Sequence, residues 1–284
     1  MKASIRVPGT SANLGPGFDC LGVALSIYNV VSVEKTESPV ELDSMPTEVG
    51  IAFFAKSKIR PFPFTWKIAG DVPRSRGLGS SVTVRLGLLH GLNEISGKPL
   101  SENDLFLLCA ALEGHPDNAA PAAFGGFTVA RPNGAVNRFE IDDTLQFVLL
   151  IPDFEVRTAD ARKVMPAQLT LADAVTAIGN AAAITAAFAA KDYTALQGTF
   201  HDTTHQPYRE PLIPFLSQVI SAAEDAGALG GFLSGSGSTI AAVTLHNAQA
   251  IAAAMANAAG LDISCTRLLT ADNRGVQNVE NAPT

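Results

Sequence analysis

The most constraining feature of this chain is one short run. Pro73-Arg74-Ser75-Arg76-Gly77-Leu78-Gly79-Ser80-Ser81 passes straight into a helical pattern at Val82. Val82, Leu86, Leu89 and Leu92 recur on one helix stripe, and Gly97 followed by Lys98-Pro99 ends it. A glycine-rich turn ahead of a helix N-terminus aims several backbone N–H groups at one spot, where the helix dipole favours negative charge. Gly77 and Gly79 let the backbone curve inward with no side chain in the way. Ser80 and Ser81 add hydroxyls, one of which could reach a Mg²⁺ bridging phosphates. No lysine follows the second glycine, so this is not the phosphate loop of the usual nucleotide hydrolases. Taken alone, a glycine turn with a serine N-cap fits the run as well as a phosphate cradle does.

A second segment, Glu113-Gly114-His115-Pro116-Asp117-Asn118, closes the next helix, which Ser101 opens with Asp104 in the capping-box position. A carboxylate at a helix end, followed by a polar turn, is suited to hold Mg²⁺ opposite a phosphate loop. For this segment alone an Asx-type turn with a capping histidine is the simpler reading. Two more segments are rich in glycine and hydroxyls, Thr10–Asp19 and Gly230–Thr239, and each also fits a plain loop or hairpin. His201 and His205 are four apart, without a third residue at zinc-binding spacing.

The rest of the chain reads as strands first, then a mixed pattern. Ile5–Val7, Ala24–Glu34 and Thr65–Ile68 suit strands, and Phe147–Pro152 begins what looks like a second unit. Thr170 caps a long alanine-rich helix, Asp192 is placed to cap a shorter one, and Pro214–Ala226 is another. Strands around Phe232 and at Ile240–Leu245 flank a Gly/Ser turn. Asn247 then caps a helix ending at Gly260, and Ile263–Leu269 closes as a strand. The order predicts an α+β sandwich of the split βαβ kind. With 284 residues there is room for two modest cores. The net charge of −7, with no basic run, argues against nucleic acid as a partner. The cysteines Cys20, Cys109 and Cys265 are odd in number and far apart, so reduced thiols in the cytoplasm are expected. Membrane attachment is not expected, because Asp173, Thr176, Gly179, Asn180 and Thr185 interrupt the run from Ala172 to Ala190.

Together these blocks resemble the GHMP family of small-molecule kinases, in particular the branch acting on L-homoserine. Thr10-Ser11-Ala12-Asn13-Leu14-Gly15-Pro16-Gly17-Phe18-Asp19 is similar to the opening signature of that branch, and Gly77–Ser81 to the family's ATP-binding loop. Glu113–Asn118 with Ala119-Ala120-Pro121, and Phe232–Thr239, resemble two further blocks. Arg157–Arg162 and His205–Pro214 agree as well, all in family order. The resemblance implies a GHMP kinase fold of the α+β class. Residues 1–146 would form an N-terminal, ribosomal-protein-S5-like α/β domain that binds ATP, and 147–284 a C-terminal, ferredoxin-like α+β domain.

By the same resemblance, Pro73, Arg76, Gly77, Leu78, Gly79, Ser80 and Ser81 would contact ATP, with Ser81 and Glu113 as the Mg²⁺ ligands. Asn118 would lie near the γ-phosphate, and Asn13, Asp19, His115, Arg162 and Arg209 would bind the amino acid. Asp19 suits an ammonium, and the two arginine forks suit a carboxylate. Asn118 and Asp19 are the candidate catalytic residues, with an ammonium role for Asp19 preferred to that of a base. A cytoplasmic homodimer is implied too. The chain departs from the family pattern at Val82 and Thr83, at Ser238, and in Ser38–Phe64, where the segment bordering adenine is not found. Another small alcohol as acceptor, or a ligand sensor without turnover, are the alternatives.

Overall fold

The computed structural model describes residues 1–279. Its elements run β1 (Lys2–Ala12), β2 (Leu21–Lys35), α1 (Ser44–Ser57), β3 (Phe64–Gly70), α2 (Ser80–Ile95), α3 (Glu102–Glu113), α4 (Ala119–Phe124), β4 (Phe127–Ala130) and β5 (Val136–Phe139). There follow β6 (Gln146–Leu150), α5 (Thr158–Lys163), α6 (Leu171–Ala190), α7 (Gln206–Arg209), α8 (Leu216–Asp225), β7 (Gly230–Leu233), β8 (Ile240–Thr244), α9 (Ala248–Ala259), β9 (Thr266–Leu269) and β10 (Gln277–Asn278).

Two sheets organise these elements. The first has the order β10-β1-β2-β4-β5, with β3 also paired to β2. Every second residue of its long strands points inward: Ile5 and Val7 of β1, with Val31 and Val33 of β2, pack against Leu86, Leu89 and Leu92 of α2. Two glycines set how closely α2 lies on the sheet. A Cβ on Gly87 would fall 2.5 Å from Val31, and one on Gly91 2.5 Å from Val33. Asn29 Nδ2 adds a buried hydrogen bond to Thr83 Oγ1 at 2.9 Å. The helix that follows the glycine loop is thereby pressed onto the central strand, and its N-terminus is held still.

The second sheet has the order β7-β8-β6-β9, with all pairs antiparallel. That order is the one expected of a ferredoxin-like unit. One face carries α8 and α9 over Val148, Leu150, Leu233 and Ile240. The other faces Phe188, Phe200, Leu14 and Leu78 in a core shared with the first sheet's strands. Residues beyond β9 return to the first sheet: Leu25 bridges Ala271, and β10 pairs with β1.

Local signals hold in several places. Ser101 and Asp104 form a reciprocal capping box, and Thr170 Oγ1 accepts from Asp173 N at 3.1 Å. The structure differs in others. Ser44–Ser57, unassigned above, is a helix whose buried face consists of Pro46, Val49, Gly50 and Phe53. Asn247 occupies the N-cap position of α9 without a side-chain cap. Asp192 precedes only a 3₁₀ turn, Tyr193–Leu196, and Ile263–Cys265 is 3₁₀ rather than strand. The interruptions in the alanine run do not shorten its helix. α6 has 20 residues at a mean hydropathy of 1.4, long and apolar enough to cross a membrane by length and composition. Its inner face puts Ile184, Ala187 and Phe188 into the shared core.

Candidate active site

A cleft of ≈ 390 Å³ opens where the two sheets meet. The glycine loop forms one wall. Ser75, Gly77 and Gly79 have φ of 53°, 72° and 65°, so the chain turns three times through the left-handed region before α2 begins. Close packing demands glycine there. A Cβ on Gly77 would lie 2.1 Å from the Ser234 carbonyl, and one on Gly79 2.1 Å from Thr10 Oγ1. The loop is pinned from three sides. Thr10 N donates to Leu78 O at 3.1 Å and Thr239 N to Arg76 O at 3.2 Å, while Ser234 Oγ donates to Gly77 O at 2.7 Å. Arg76, Gly77, Gly79, Ser80 and Ser81 line the cleft. Leu78 is fully buried in the shared core, and Pro73 stands outside the lining residues. The structure therefore brings five of the seven expected loop residues to the wall. Leu78 serves as the anchor that holds the turn down.

Ser81 begins α2 and Glu113 ends α3, and Ser81 Oγ donates to Glu113 Oε2 at 2.9 Å. Hydroxyl and carboxylate oxygens are the donors Mg²⁺ prefers, so this pair fits such an ion beside a phosphate loop. Asn118 follows the turn after α3. Its Oδ1 accepts from Thr10 Oγ1 at 2.7 Å, against the edge of Gly79. Among the described residues its Nδ2 donors have no partner, and Asn118 lines the cleft.

The remaining wall is dense with charge. Asn13 and Leu14 have φ of 72° and 46°, and the turn they make lets Asn13 Oδ1 accept from Asp19 N at 3.0 Å. Asn13 Nδ2 donates to Gly235 O at 3.1 Å. Both oxygens of Asp19 accept from Arg162 of α5, at 3.0 and 2.8 Å. This fork holds the Arg162 guanidinium above its usual range, with burial opposing. Arg209 of α7 is 2% exposed. Its Nη1 donates to Gly235 O at 2.9 Å and its Nε to Ala161 O at 3.3 Å. Burial, then repulsion from Arg162, lowers Arg209 to about 10, so it stays charged at neutral pH. The Phe18 ring contacts both arginines, its centroid 5.6 and 5.3 Å from their guanidinium carbons.

His115 Nδ1 meets Asp117 Oδ1 at 2.5 Å. Burial alone would lower the imidazole, but the hydrogen bond and charge of Asp117 outweigh it and raise its pKa. Ligand atoms of Asp19, His115 and Asp117 lie within 4.8 Å of one another. The structure thus gathers Asn13, Asp19, His115, Asn118, Arg162 and Arg209 around one cleft with the loop, Ser81 and Glu113.

It also adds residues that sequence reasoning passed over. Asp117 is 2% exposed and anchors His115; it sat inside a quoted block without a role. Gly235 O accepts from both Asn13 and Arg209, which no sequence pattern announces. Asp43, Met45 and Pro46 at the start of α1, with Trp66 of β3, supply a partly apolar wall from the region that seemed empty. Arg85 lies against Glu113, and its i+4 spacing from Ser81 was the available signal.

Comparison with known proteins agrees with this architecture. Residues 47–126 match the model of the GHMP kinases N terminal domain, and residues 184–260 that of the GHMP kinases C terminal. The chain is 38% identical to a homoserine kinase of Caldicellulosiruptor saccharolyticus over 261 residues, 86% of this chain and 84% of that one. It is 38% identical to a homoserine kinase of Trichormus variabilis over 298 residues, covering 96% and 98%. The crystal structure of homoserine kinase from Cytophaga hutchinsonii superposes with a TM-score of 0.87 at 26% identity, covering 98% of this chain and 97% of that one.

Proposed function

This chain belongs to the GHMP kinase family, in its homoserine kinase branch, and from that premise we propose that it transfers the γ-phosphoryl group of ATP to the side-chain hydroxyl of L-homoserine. The product is O-phospho-L-homoserine. The observation that carries the reading is one cleft holding both a glycine loop at a helix N-terminus and a set of side chains matched to a zwitterion. Asp19 and Asp117 suit an ammonium, and Arg162 and Arg209 a carboxylate. An amino acid gripped at both charged ends leaves its side-chain hydroxyl as the free reactive group.

Phosphoryl transfer depends on in-line positioning and on stabilising charge, more than on a strong base. The backbone N–H groups of Gly77–Ser81 would bind phosphate oxygens, and Asn118 Nδ2 would steady the transferring group. Ser81 and Glu113 would hold Mg²⁺, whose charge, when bound, offsets that of the phosphates. Met45, Pro46 and Trp66 offer the adenine an apolar wall. Arg162 occupies both oxygens of Asp19, which counts against Asp19 as a general base; Asp19 would meet the ammonium as Arg162 turns from it to the substrate carboxylate. His115 is tied to Asp117 through Nδ1, which fixes its ring and leaves Nε2 to hydrogen-bond the substrate. Transfer by positioning and charge stabilisation requires no dedicated base, and the reading assigns none.

An ADP-release assay with ATP and Mg²⁺, run against L-homoserine, L-threonine, L-serine, mevalonate and galactose, tests the proposal. Selective turnover with L-homoserine is expected. Preference for another alcohol overturns the substrate, and ATP binding without any turnover overturns the enzyme.

A further inference from the structure

The Ser81–Glu113 pair has a third member. Arg85 stands one turn beyond Ser81 on the same face of α2, since residues four apart stack along a helix. Its Nη1 bonds Glu113 Oε1, while Ser81 Oγ takes Oε2. The two oxygens of Glu113 are thus divided between a cation and a hydroxyl. Arg85 Nη2 also lies 3.8 Å from Glu48 Oε2 on α1.

The two contacts are unequal. The side chains of Arg85 and Glu113 are 14% and 8% exposed, whereas Glu48 is 56% exposed. Water screens the second contact far more than the first. Arg85 Nε is buried without a partner, so full satisfaction of its donors is not what holds the guanidinium here. Its charge beside Glu113 is the dominant interaction.

A divalent cation needs uncompensated anionic oxygen. With Arg85 against it, the charge of Glu113 is offset within the buried pair, and the exposed Glu48 is screened by water. A polyphosphate, in contrast, brings both charge and oxygen ligands of its own. We propose that Arg85 makes the metal site nucleotide-dependent: by neutralising Glu113 it keeps free divalent cations out, so that the ion enters with the polyphosphate. Arg85 acts as a positioning residue, presenting Oε2 on the Ser81 side while shutting off Oε1. The inference rests on the reading of Ser81 and Glu113 as the metal side of the cleft.

The test uses the full chain with Mn²⁺ as a paramagnetic probe, measured by electron paramagnetic resonance and calorimetry. Each titration is run with and without the β,γ-imido analogue of ATP. The wild type is expected to take up Mn²⁺ only with the analogue present. Arg85→Met, similar in length and uncharged, is expected to bind Mn²⁺ without nucleotide about tenfold more tightly or better. Arg85→Lys, which keeps the charge, should behave as wild type, and Arg85→Met with Glu113→Gln should lose the gain.

Equal Mn²⁺ affinity of the wild type with and without the analogue overturns the proposal and needs no variant. An unchanged Arg85→Met, while Glu113→Gln abolishes uptake with the analogue, overturns the proposal alone. A gain that survives Glu113→Gln instead overturns the assignment of Glu113, and the proposal with it.

Discussion

Arg209→Lys separates the substrate grip from the rest of the machinery. Arg209 is buried on α7 with two donors committed to protein carbonyls, Nη1 to Gly235 O and Nε to Ala161 O. Those bonds fix the plane of the fork, so its remaining donors point as a rigid pair. A lysine keeps the charge but presents a single ammonium that cannot reach both carbonyls and a carboxylate at once. One charge-assisted hydrogen bond to substrate is then lost, worth about 1.5–3 kcal/mol. At about 1.4 kcal/mol per tenfold, kcat/KM for L-homoserine should fall by roughly ten- to 150-fold. The fall should come mainly through KM for the amino acid. The apparent KM for ATP should stay within about twofold, because among the described residues Arg209 hydrogen-bonds Ala161, His205 and Gly235 and not the Gly77–Ser81 loop. One weakened carbonyl bond costs the fold about 1 kcal/mol, small against a total of about 5–15. The variant should therefore fold, and coupled ADP-release kinetics at varied homoserine and ATP can be compared directly. A variant within threefold of wild type at low homoserine, or one whose ATP and homoserine KM values rise together, would refute the assignment of Arg209 to the carboxylate.

Three other outcomes are expected. Gly77→Ala places a Cβ 2.1 Å from Ser234 O at φ +72°, adding about 1–2 kcal/mol of left-handed strain and lifting the loop from the turn beneath. The KM for ATP should rise at least about tenfold, and an unchanged value would show that the loop does not touch nucleotide. Ser101→Ala removes a capping box remote from the cleft. It should cost about 1 kcal/mol and lower Tm by about 2 °C while leaving both KM values unchanged. His90 of α2 is the pH-sensitive group. Its Nε2 is enclosed without a partner although the residue as a whole is only half-buried, and burial lowers its pKa from 6.5 to about 4. Between those values the unfolded chain binds a proton that the native state refuses, so stability is full above pH 6.5 and falls as pH drops toward 4. At pH 5 the loss from this group is at most about 2 kcal/mol. His90→Leu should shrink the difference between urea unfolding free energies at pH 7 and pH 5. His205, buried and likewise lowered to about 4, would keep a residual slope. An undiminished difference would mean that His90 titrates normally.

The parts that sequence reasoning missed share a physical cause. In α1 the inward face is Pro46, Val49, Gly50 and Phe53, and a proline and a glycine there disguise the 3.6-residue period of apolar side chains. The strands β4 and β5 are four residues each, too short for alternation to stand out. Arg85 was hidden for another reason: a charge on a largely apolar helix looks solvated until α3 is laid beside it.

Whatever depends on neighbours a few residues apart was settled by the sequence. The glycine turns at Gly77 and Gly79, the caps at Ser101 and Thr170, and the hydroxyls at the mouth of the helix were legible from local backbone freedom and hydrogen bonding. Most of the chemically able residues were legible as residue types, with Asp117 and Arg85 the exceptions. What tertiary structure decided is which of them meet. Thr10 reaches Asn118 across 108 positions, Asp19 reaches Arg162 across 143, and Asn13 reaches Gly235 across 222. Only the packing of two sheets, with Gly87 and Gly91 letting α2 settle on β2, brings those ends within hydrogen-bond distance. A contact of that separation leaves no period in the chain. It exists because burying the two cores fixes the relative positions of strands that are strangers in sequence.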